Sequence, residues 1–463
     1  MRPLLGTELL APLDLAFWHL ESDAHPMHLG ALAVFAPPPG PGATPDHVLD
    51  LLRTRAAAVP RLRMCVRDVL LPVGGAAWTV DKDFDVHRHV RRVAVPDGDF
   101  MTGATRLAGE LMEQPLERGL PPWQLYLIGG GDGGPFAVLV KLHHALADGM
   151  RAVAIGAGIF DQVAAATARP TPRGPAVPPR SRLPDPRAMA GLALGRIGEV
   201  GRALGVGASV VRAGRLDLRP TALTAPSSGT RRLATADLDA TALQRIRRAE
   251  GGTANDILLA VVAGALRRWM AGRGETLPGA DPRALVPVSR RRPGVAITRN
   301  RLSAYLLDLP VGVPDPRERL RAVRAAMDRN KAAGPLKGAG AVAVLADQLH
   351  PLAHRFGAPL AANAARMLFD LLVTSVPLPR SALSLGGCPL SALYPMAPLA
   401  RGQSLAVALS TYGGRVHVGL VADGKALPDL DRLAEAVAEE FAELEALVTG
   451  GLRPGARVPE PVT

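Results

Sequence analysis

The chain has 463 residues, more than one ordinary core requires and enough for two domains and a connection. Hydrophobic residues make up 48% and charged residues 21%, which excludes a disordered polar chain. The formal net charge of +12, from 54 basic against 42 acidic side chains, points to anionic partners. An aromatic fraction of 4%, no zinc-finger spacing and no ribonucleoprotein-type motif leave no nucleic-acid partner with positive support, whereas a membrane surface or a phosphate-bearing substrate fits equally well. Two cysteines, Cys65 and Cys388, cannot make a disulfide framework and read as inert thiols in a reducing cytosol. The start has no signal-peptide layout, and no apolar run reaches the ~18 residues of a spanning helix. The chain is expected to be cytoplasmic, at most peripheral to a membrane.

Along the chain, Leu29–Phe35 is an apolar run suited to a buried strand, and Pro45–Val59 has helical periodicity through Val48, Leu49, Leu51 and Leu52. Thr105–Met112 predicts a helix ended near Pro115. Phe136–Leu142 is strand-like and leads directly into His143 and His144, after which Met150–Val163 predicts a helix. From Ala164 to Pro186 proline and arginine dominate, as in a linker. Residues 187–213 read as a glycine-weakened amphipathic helix. Between Arg180 and Arg219 eight arginines face three acids, a local net of 8 − 3 = +5. A solvated crossover helix is the plain explanation, and contact with an anionic membrane surface is the sharper one. Beyond Arg231 a second α/β pattern follows. It comprises a helix over Ala254–Met270, strands at Leu302–Leu309, Leu405–Thr411 and Arg415–Val421, and a closing amphipathic helix over Pro428–Val448.

The chemistry concentrates in His143-His144-Ala145-Leu146-Ala147-Asp148-Gly149, placed in a strand-to-helix turn where side chains can project into a cleft. A histidine there can act as a general base, its neutral imidazole taking a proton from a hydroxyl, amine or thiol. Asp148 could accept backbone N–H bonds or pair with an arginine to hold the loop, and Gly149 could supply a conformation other residues resist. Metal binding is the competitor. Adjacent strand histidines point apart, and no third ligand stands at short spacing, so no metal is expected. There is no G-x-S-x-G, no phosphate-binding P-loop and no dinucleotide fingerprint.

The HHxxxDG pattern of these residues resembles the signature of the bacterial wax ester synthase/diacylglycerol acyltransferase family. Further landmarks follow in order: Pro12-Leu13-Asp14 to Phe17 with His25-Pro26-Met27-His28-Leu29-Gly30, then Phe84 to Val90, Asn255-Asp256 to Gly264, Arg299-Asn300-Arg301, and the stretch from Leu393 to Asp423. The resemblance spans nearly the whole chain. It implies an α/β fold of two chloramphenicol acetyltransferase-like domains, each a mixed sheet with flanking helices, over 1–165 and 226–463. The segment 166–225 would be the linker and crossover helix between them. It further implies that His144 is the base deprotonating an acceptor hydroxyl that attacks an acyl-CoA thioester in a tunnel between the domains. His143 would support the site and Asp148 would shape the loop through an arginine contact. Asn255, with Asp256 beside it, is either a polar group near the reacting centre or an ordinary helix cap. No resident cofactor is implied, acyl-CoA being a substrate. The other partners would be a lipid alcohol, diacylglycerol or a fatty alcohol, and peripherally an anionic membrane or lipid body.

The chain departs from the family in two places. Thr374-Ser375-Val376-Pro377-Leu378-Pro379 stands where Ser-Asn-Val-Pro-Gly-Pro is typical, and Pro121-Pro122-Trp123 where Pro-Leu-Trp is common. Such changes would reshape the substrate tunnel. They keep open a different hydroxyl or amine acceptor, a carrier-protein donor, or a lipid-binding homologue without activity.

Overall fold

Phe136–His143 is apolar on both strand faces apart from Lys141, the pattern of a strand covered above and below. In the computed structural model of the protein this strand lies inside the larger of two mixed sheets. The structure describes residues 8–37, 44–95, 98–130, 133–163, 221–275, 280–289, 302–333, 367–379 and 381–450. The predicted linker and crossover helix, apart from residues 221–225, and Arg299-Asn300-Arg301 lie outside these residues.

The elements run β1 (Glu8–Leu9), α1 (Pro12–Leu20), β2 (His28–Phe35), α2 (Pro45–Ala58), β3 (Met64–Asp68), β4 (Ala76–Val80), β5 (Val90–Val93), α3 (Phe100–Glu113), β6 (Trp123–Gly129), β7 (Phe136–His143), α4 (Gly149–Ile159) and β8 (Asp161–Val163). The second half continues with β9 (Arg231–Asp239), α5 (Ala240–Glu250), α6 (Ala254–Gly272), β10 (Arg283–Ser289), β11 (Leu302–Asp308), α7 (Pro316–Ala333), β12 (Leu371–Val376), β13 (Ala382–Leu385), β14 (Cys388–Met396), β15 (Leu405–Tyr412), β16 (Arg415–Asp423) and α8 (Leu430–Gly450). Among the described residues the expected strands and helices are present with shifts of boundary. One differs in kind: the helix expected to reach Val163 stops at Ile159, and β8 follows. Phe160 turns extended there, with φ −86° and ψ 151°, and its ring packs edge-on to Phe35 at 5.4 Å. Burial of that ring outweighs continuation of the helix.

The seven-stranded sheet has the order β5-β6-β7-β2-β14-β13-β8, and the six-stranded sheet β11-β10-β12-β15-β16-β9. A three-stranded sheet, β1-β4-β3, stands apart. The second half of the chain therefore contributes β13 and β14 to the first sheet, β14 pairing antiparallel with β2 from Leu390↔Phe35 to Met396↔Gly30. Nothing in the apolar pattern of Cys388–Met396 distinguishes this placement from one in the second sheet. One face of the large sheet packs with α1, α2 and α4 around Phe35, Trp123, Val138 and Leu146. The other face, through Leu32, Tyr126 and Leu139, shares a core with Leu233, Ala406 and Val421 of the six-stranded sheet.

Glycines permit the closest approaches. A Cβ on Gly419 would stand 2.1 Å from the Pro395 carbonyl oxygen, so β16 can press onto β14 only because that Cβ is missing. Ser410 Oγ donates to Leu393 O at 2.6 Å across the same seam. In α6, Gly264 leaves room for the buried ion pair between Arg319 of α7 and Glu440 of α8, both under 4% exposed.

Candidate active site

β7 delivers His143, and α4 starts at Gly149. The turn between them is held at each step. His143 N–H donates to Pro122 O (3.0 Å), His144 N–H to Met27 O (2.8 Å) and Leu146 N–H to His143 O (2.9 Å). Ala145, Leu146 and Ala147 are buried in the core beneath, so the loop is fastened by packing as well. The apolar triplet inside the motif is thus an anchor that fixes where the histidines emerge.

His144 is half-buried, and its ring stacks on Phe17 of α1, centroids 4.0 Å apart at 23°. Its Nδ1 is buried without a hydrogen-bond partner. Burial pushes this imidazole down to about 4, against the opposing influence of the Asp148 charge. At neutral pH the ring is therefore unprotonated, the form a base must have.

His143 is fully buried and differently employed. Its Nδ1 accepts the Ala145 N–H at 2.9 Å, which leaves Nε2 to carry the ring proton. Trp18 packs against it in an edge contact at 4.9 Å. Nε2 lies 3.4 Å from Glu21 Oε1, and the same oxygen lies 3.4 Å from His28 Nε2. The other Glu21 oxygen accepts from Arg118 at 2.7 Å, and that guanidinium lies 3.9 Å over the Trp18 ring. Burial alone would raise the Glu21 carboxyl, but contact with His143 and His28 and the Arg118 charge hold it well below the usual carboxylate range. Burial pushes His28 down to about 4. A carboxylate thus braces the first histidine, while the second is half-buried against Phe17.

Asp148 is buried and caps α4, accepting the Arg151 N–H at 2.8 Å. The side chain of the same Arg151 reaches Asp14 of α1, Nη1 to Oδ2 3.6 Å. Gly149 takes no left-handed conformation, contrary to the expectation for it, because it is simply the first residue of α4. A Cβ there would meet Val376 at 3.7 Å in ordinary contact. The neighbour of Val376, Ser375, donates to Asn255 Oδ1 at 3.2 Å. Asn255 is not the cap of α6. Thr253 fills that role in a capping box with Asp256: Asp256 N–H donates to Thr253 Oγ1 (3.2 Å) and Thr253 N–H to Asp256 Oδ2 (2.8 Å). The Asn255 amide is accordingly left for the end of β12, and one segment touches both the Asp148-Gly149 corner and the Asn255 corner.

Two residues escaped the reading of the sequence. Glu21 stands with Asp23 in a polar stretch between Leu20 and the Pro26-Met27-His28 run, and Lys141 is a lone cation in an apolar strand. Lys141 Nζ donates to Leu111 O at 2.7 Å and to Gln114 O, so it neutralises the C-terminal end of α3. Burial lowers it to about 7. Isolation of a charge among apolar neighbours was the available signal for Lys141, whereas nothing in the sequence around Glu21 marks it. Among the described residues no group of three or more His, Cys, Asp or Glu side chains could hold a metal ion.

Comparison with known proteins identifies this architecture. The family model for the wax ester synthase/diacylglycerol acyltransferase catalytic domain matches residues 10–258, and that for the family's C-terminal domain matches 298–445. The chain belongs to the wax ester synthase/diacylglycerol acyltransferase family. A probable diacylglycerol O-acyltransferase of Mycobacterium tuberculosis is 30% identical over 464 residues, covering 95% of this chain and 99% of that protein. A second from the same organism is 31% identical over 455 residues, covering 95% and 96%. The solved wax ester synthase/diacylglycerol acyltransferase of Marinobacter aquaeolei VT8 superposes with a TM-score of 0.68 at 25% identity, over 96% of this chain and 100% of that one. A trichothecene 15-O-acetyltransferase from Fusarium sporotrichioides shares the fold, with a TM-score of 0.62 at 11% identity over 95% of each chain. The protein is an acyltransferase of two mixed sheets with flanking helices, as the resemblance implied. Within that family its two departures both lie against the site. Pro122 meets His143 only through its main-chain carbonyl, an acceptor any residue would supply, whereas Ser375 meets Asn255 through its own hydroxyl.

Proposed function

We propose that the protein transfers a fatty acyl group from acyl-CoA to the hydroxyl of a lipid alcohol, diacylglycerol or a fatty alcohol, with His144 as general base in a tunnel between the two halves. The observation that carries this reading is the division of labour in the motif. Glu21 and the Ala145 amide immobilise His143, while His144, stacked on Phe17, presents an unprotonated imidazole.

In the step envisaged, His144 takes the acceptor's hydroxyl proton as the oxygen attacks the thioester carbonyl. The tetrahedral intermediate then collapses. Its C–S bond breaks, the CoA sulfur leaves and takes back the proton from His144, and ester and free CoA thiol result. With Oδ1 engaged by Ser375, the Asn255 Nδ2–H group is the donor offered to the intermediate's oxyanion. Asp148 holds the loop and touches no substrate. Both substrates meet at one base, so no covalent enzyme intermediate and no resident cofactor take part.

The relatives' names as diacylglycerol O-acyltransferases support diacylglycerol as an acceptor. A second reading, a different hydroxyl or amine acceptor, is favoured by Ser375 and Leu378 where the family has asparagine and glycine. The test incubates purified protein with long-chain acyl-CoA and diacylglycerol, hexadecanol or a short soluble alcohol, following free thiol and ester. Release with the lipid alcohols supports the proposal, and reaction of a non-lipid acceptor alone supports the second reading. Absence of thiol release with every donor and acceptor refutes both. No described helix is long and apolar enough to cross a membrane, so access to a lipid acceptor would be peripheral.

A further inference from the structure

The three-stranded sheet carries a feature that the chemistry above does not use. Its β3–β4 hairpin has the tip Val69-Leu70-Leu71-Pro72-Val73-Gly74-Gly75, and Leu70, Leu71 and Val73 are 92%, 80% and 53% exposed. Leu9 of β1, 52% exposed, stands at the same end of the sheet: it pairs with Ala77, and Leu10 N–H donates to Ala76 O. Four of the six large hydrophobic side chains identified as exposed among the described residues thus gather at one corner. The tip is built rather than frayed. Val69 N–H donates to Gly75 O (3.1 Å), Gly75 N–H to Pro72 O (2.8 Å), and His19 of α1 reaches Gly74 O at 3.3 Å. Among the described residues nothing covers the two adjacent leucines that this ordered turn keeps in water.

We infer that this hairpin is a phospholipid-docking element, which inserts Leu70, Leu71 and Val73 among the acyl chains of a membrane surface. Three observations favour lipid over other occupants. First, four aliphatic side chains offer roughly a few hundred Å², short of the ~800 Å² per partner of a standard protein interface, so a second copy of the chain would be poorly held. Second, the border carries arginine. Exposed Arg67, beside Asp68, precedes the tip and lies against Gly119, next to half-exposed Arg118, which Glu21 pairs on one side, in a chain of net charge +12. Guanidinium groups around an apolar tip complement anionic headgroups. Third, the element is tied to α1, which also touches the motif histidines. A cavity of about 310 Å³, lined by Leu9, Leu10, Pro12, Arg61, Trp78 and Arg151 among others, lies between this sheet and the α1–α4 corner. The helix that His19 ties to the hairpin also carries Phe17 and Trp18, which pack on His144 and His143. The inference rests on the proposed function in one respect, that a water-insoluble acceptor must be collected from a lipid surface.

The test uses the full chain and vesicles of phosphatidylcholine with and without phosphatidylglycerol, read by co-sedimentation. Leu70→Asp/Leu71→Asp is expected to weaken partitioning about 100-fold, since each leucine's burial carries roughly a tenfold effect or more. The wild type should bind more tightly when phosphatidylglycerol is present. In a separate variant, Leu71→Trp, the emission of the new indole should shift to the blue on vesicles. Turnover of a soluble short-chain alcohol by the double variant should equal that of the wild type, which reports folding and catalysis independently of docking. Equal vesicle binding by double variant and wild type overturns the inference, as does a wild type that binds neither vesicle. A wild-type dimer that the double variant converts to monomer, with vesicle binding unchanged, overturns it in favour of self-association. Loss of vesicle binding in a protein inactive with every acceptor leaves docking standing and removes the acyltransferase reading instead.

Discussion

Replacing Glu21 by glutamine probes the brace behind the motif. The carboxylate has two jobs: Oε1 faces the Nε2 atoms of His143 and His28 at 3.4 Å each, and Oε2 takes the Arg118 guanidinium at 2.7 Å. A glutamine amide has one acceptor and one donor end. With its oxygen toward Arg118 it presents N–H groups to the histidines, and in the opposite orientation it presents them to the guanidinium. Either way one donor loses its acceptor in a site where Glu21 is 8% exposed at the side chain. Loss of one hydrogen bond of this charge-assisted kind corresponds to about 1.5–3 kcal/mol. The urea midpoint at pH 7 should fall accordingly, with Glu21→Asp intermediate. The kinetic consequence follows through geometry. With His143 no longer pinned, the turn carrying His144 loosens, and misplacement on the scale of an ångström costs about 100-fold in rate. The expected outcome is a kcat lowered by about 10- to 100-fold with KM for acyl-CoA little changed. Wild-type kcat in a variant with an unchanged crystal position for His143 would refute the bracing argument.

Three further outcomes follow from named contacts. Gly264→Ala should lower stability by about 3 kcal/mol or more in chemical unfolding, because its Cβ would occupy the space of the buried Arg319–Glu440 pair; a shift under about 1 kcal/mol would mean the helices separate easily. Acidification from pH 7 to 5 should destabilise the fold through His28. Its pKa is near 4 when folded and about 6.5 when unfolded, so the unfolded chain takes the proton first and stability is lost as pH falls below 6.5, by about 2 kcal/mol at pH 5. Glu21 is depressed and loses its contribution only at lower pH, so His28→Gln should remove His28's share of the loss in this window and leave that of His144, which burial lowers likewise. Ser375→Ala removes the hydroxyl that donates to Asn255, on a largely exposed residue, and should leave stability within about 1 kcal/mol while changing the kcat/KM ratio of diacylglycerol to hexadecanol severalfold. An unchanged ratio would remove Ser375 from acceptor selection.

Much of this was legible in the sequence because apolar periodicity reports local burial directly. β7, α2, α6 and α8 follow their patterns to within a residue or two at most ends. The end of α4 was not legible, since Phe160 satisfies a helical stripe as well as the extended form it adopts against Phe35. Placement of β14 beside β2 was hidden for another reason: strand pairing is a long-range choice, made here between Leu390–Met396 and Gly30–Phe35, far apart in sequence. In the site, the motif located both histidines and the helix-capping aspartate. It did not separate the histidines' roles by burial, and it assigned Gly149 a conformational role that its helical position does not require. Glu21 was missed because its meaning lies in what surrounds it, two buried imidazoles brought together by the His28↔His143 register.

The central claim is that His144 alone takes the acceptor's proton while His143 supports it. Thiol release from acyl-CoA should be measured side by side for His144→Ala and His143→Gln, with stability of both variants checked in parallel. The account predicts that His144→Ala lowers kcat by about 100- to 10,000-fold while the protein stays folded. It predicts a smaller kinetic loss for His143→Gln, accompanied by reduced stability. Near-wild-type release by folded His144→Ala would contradict it.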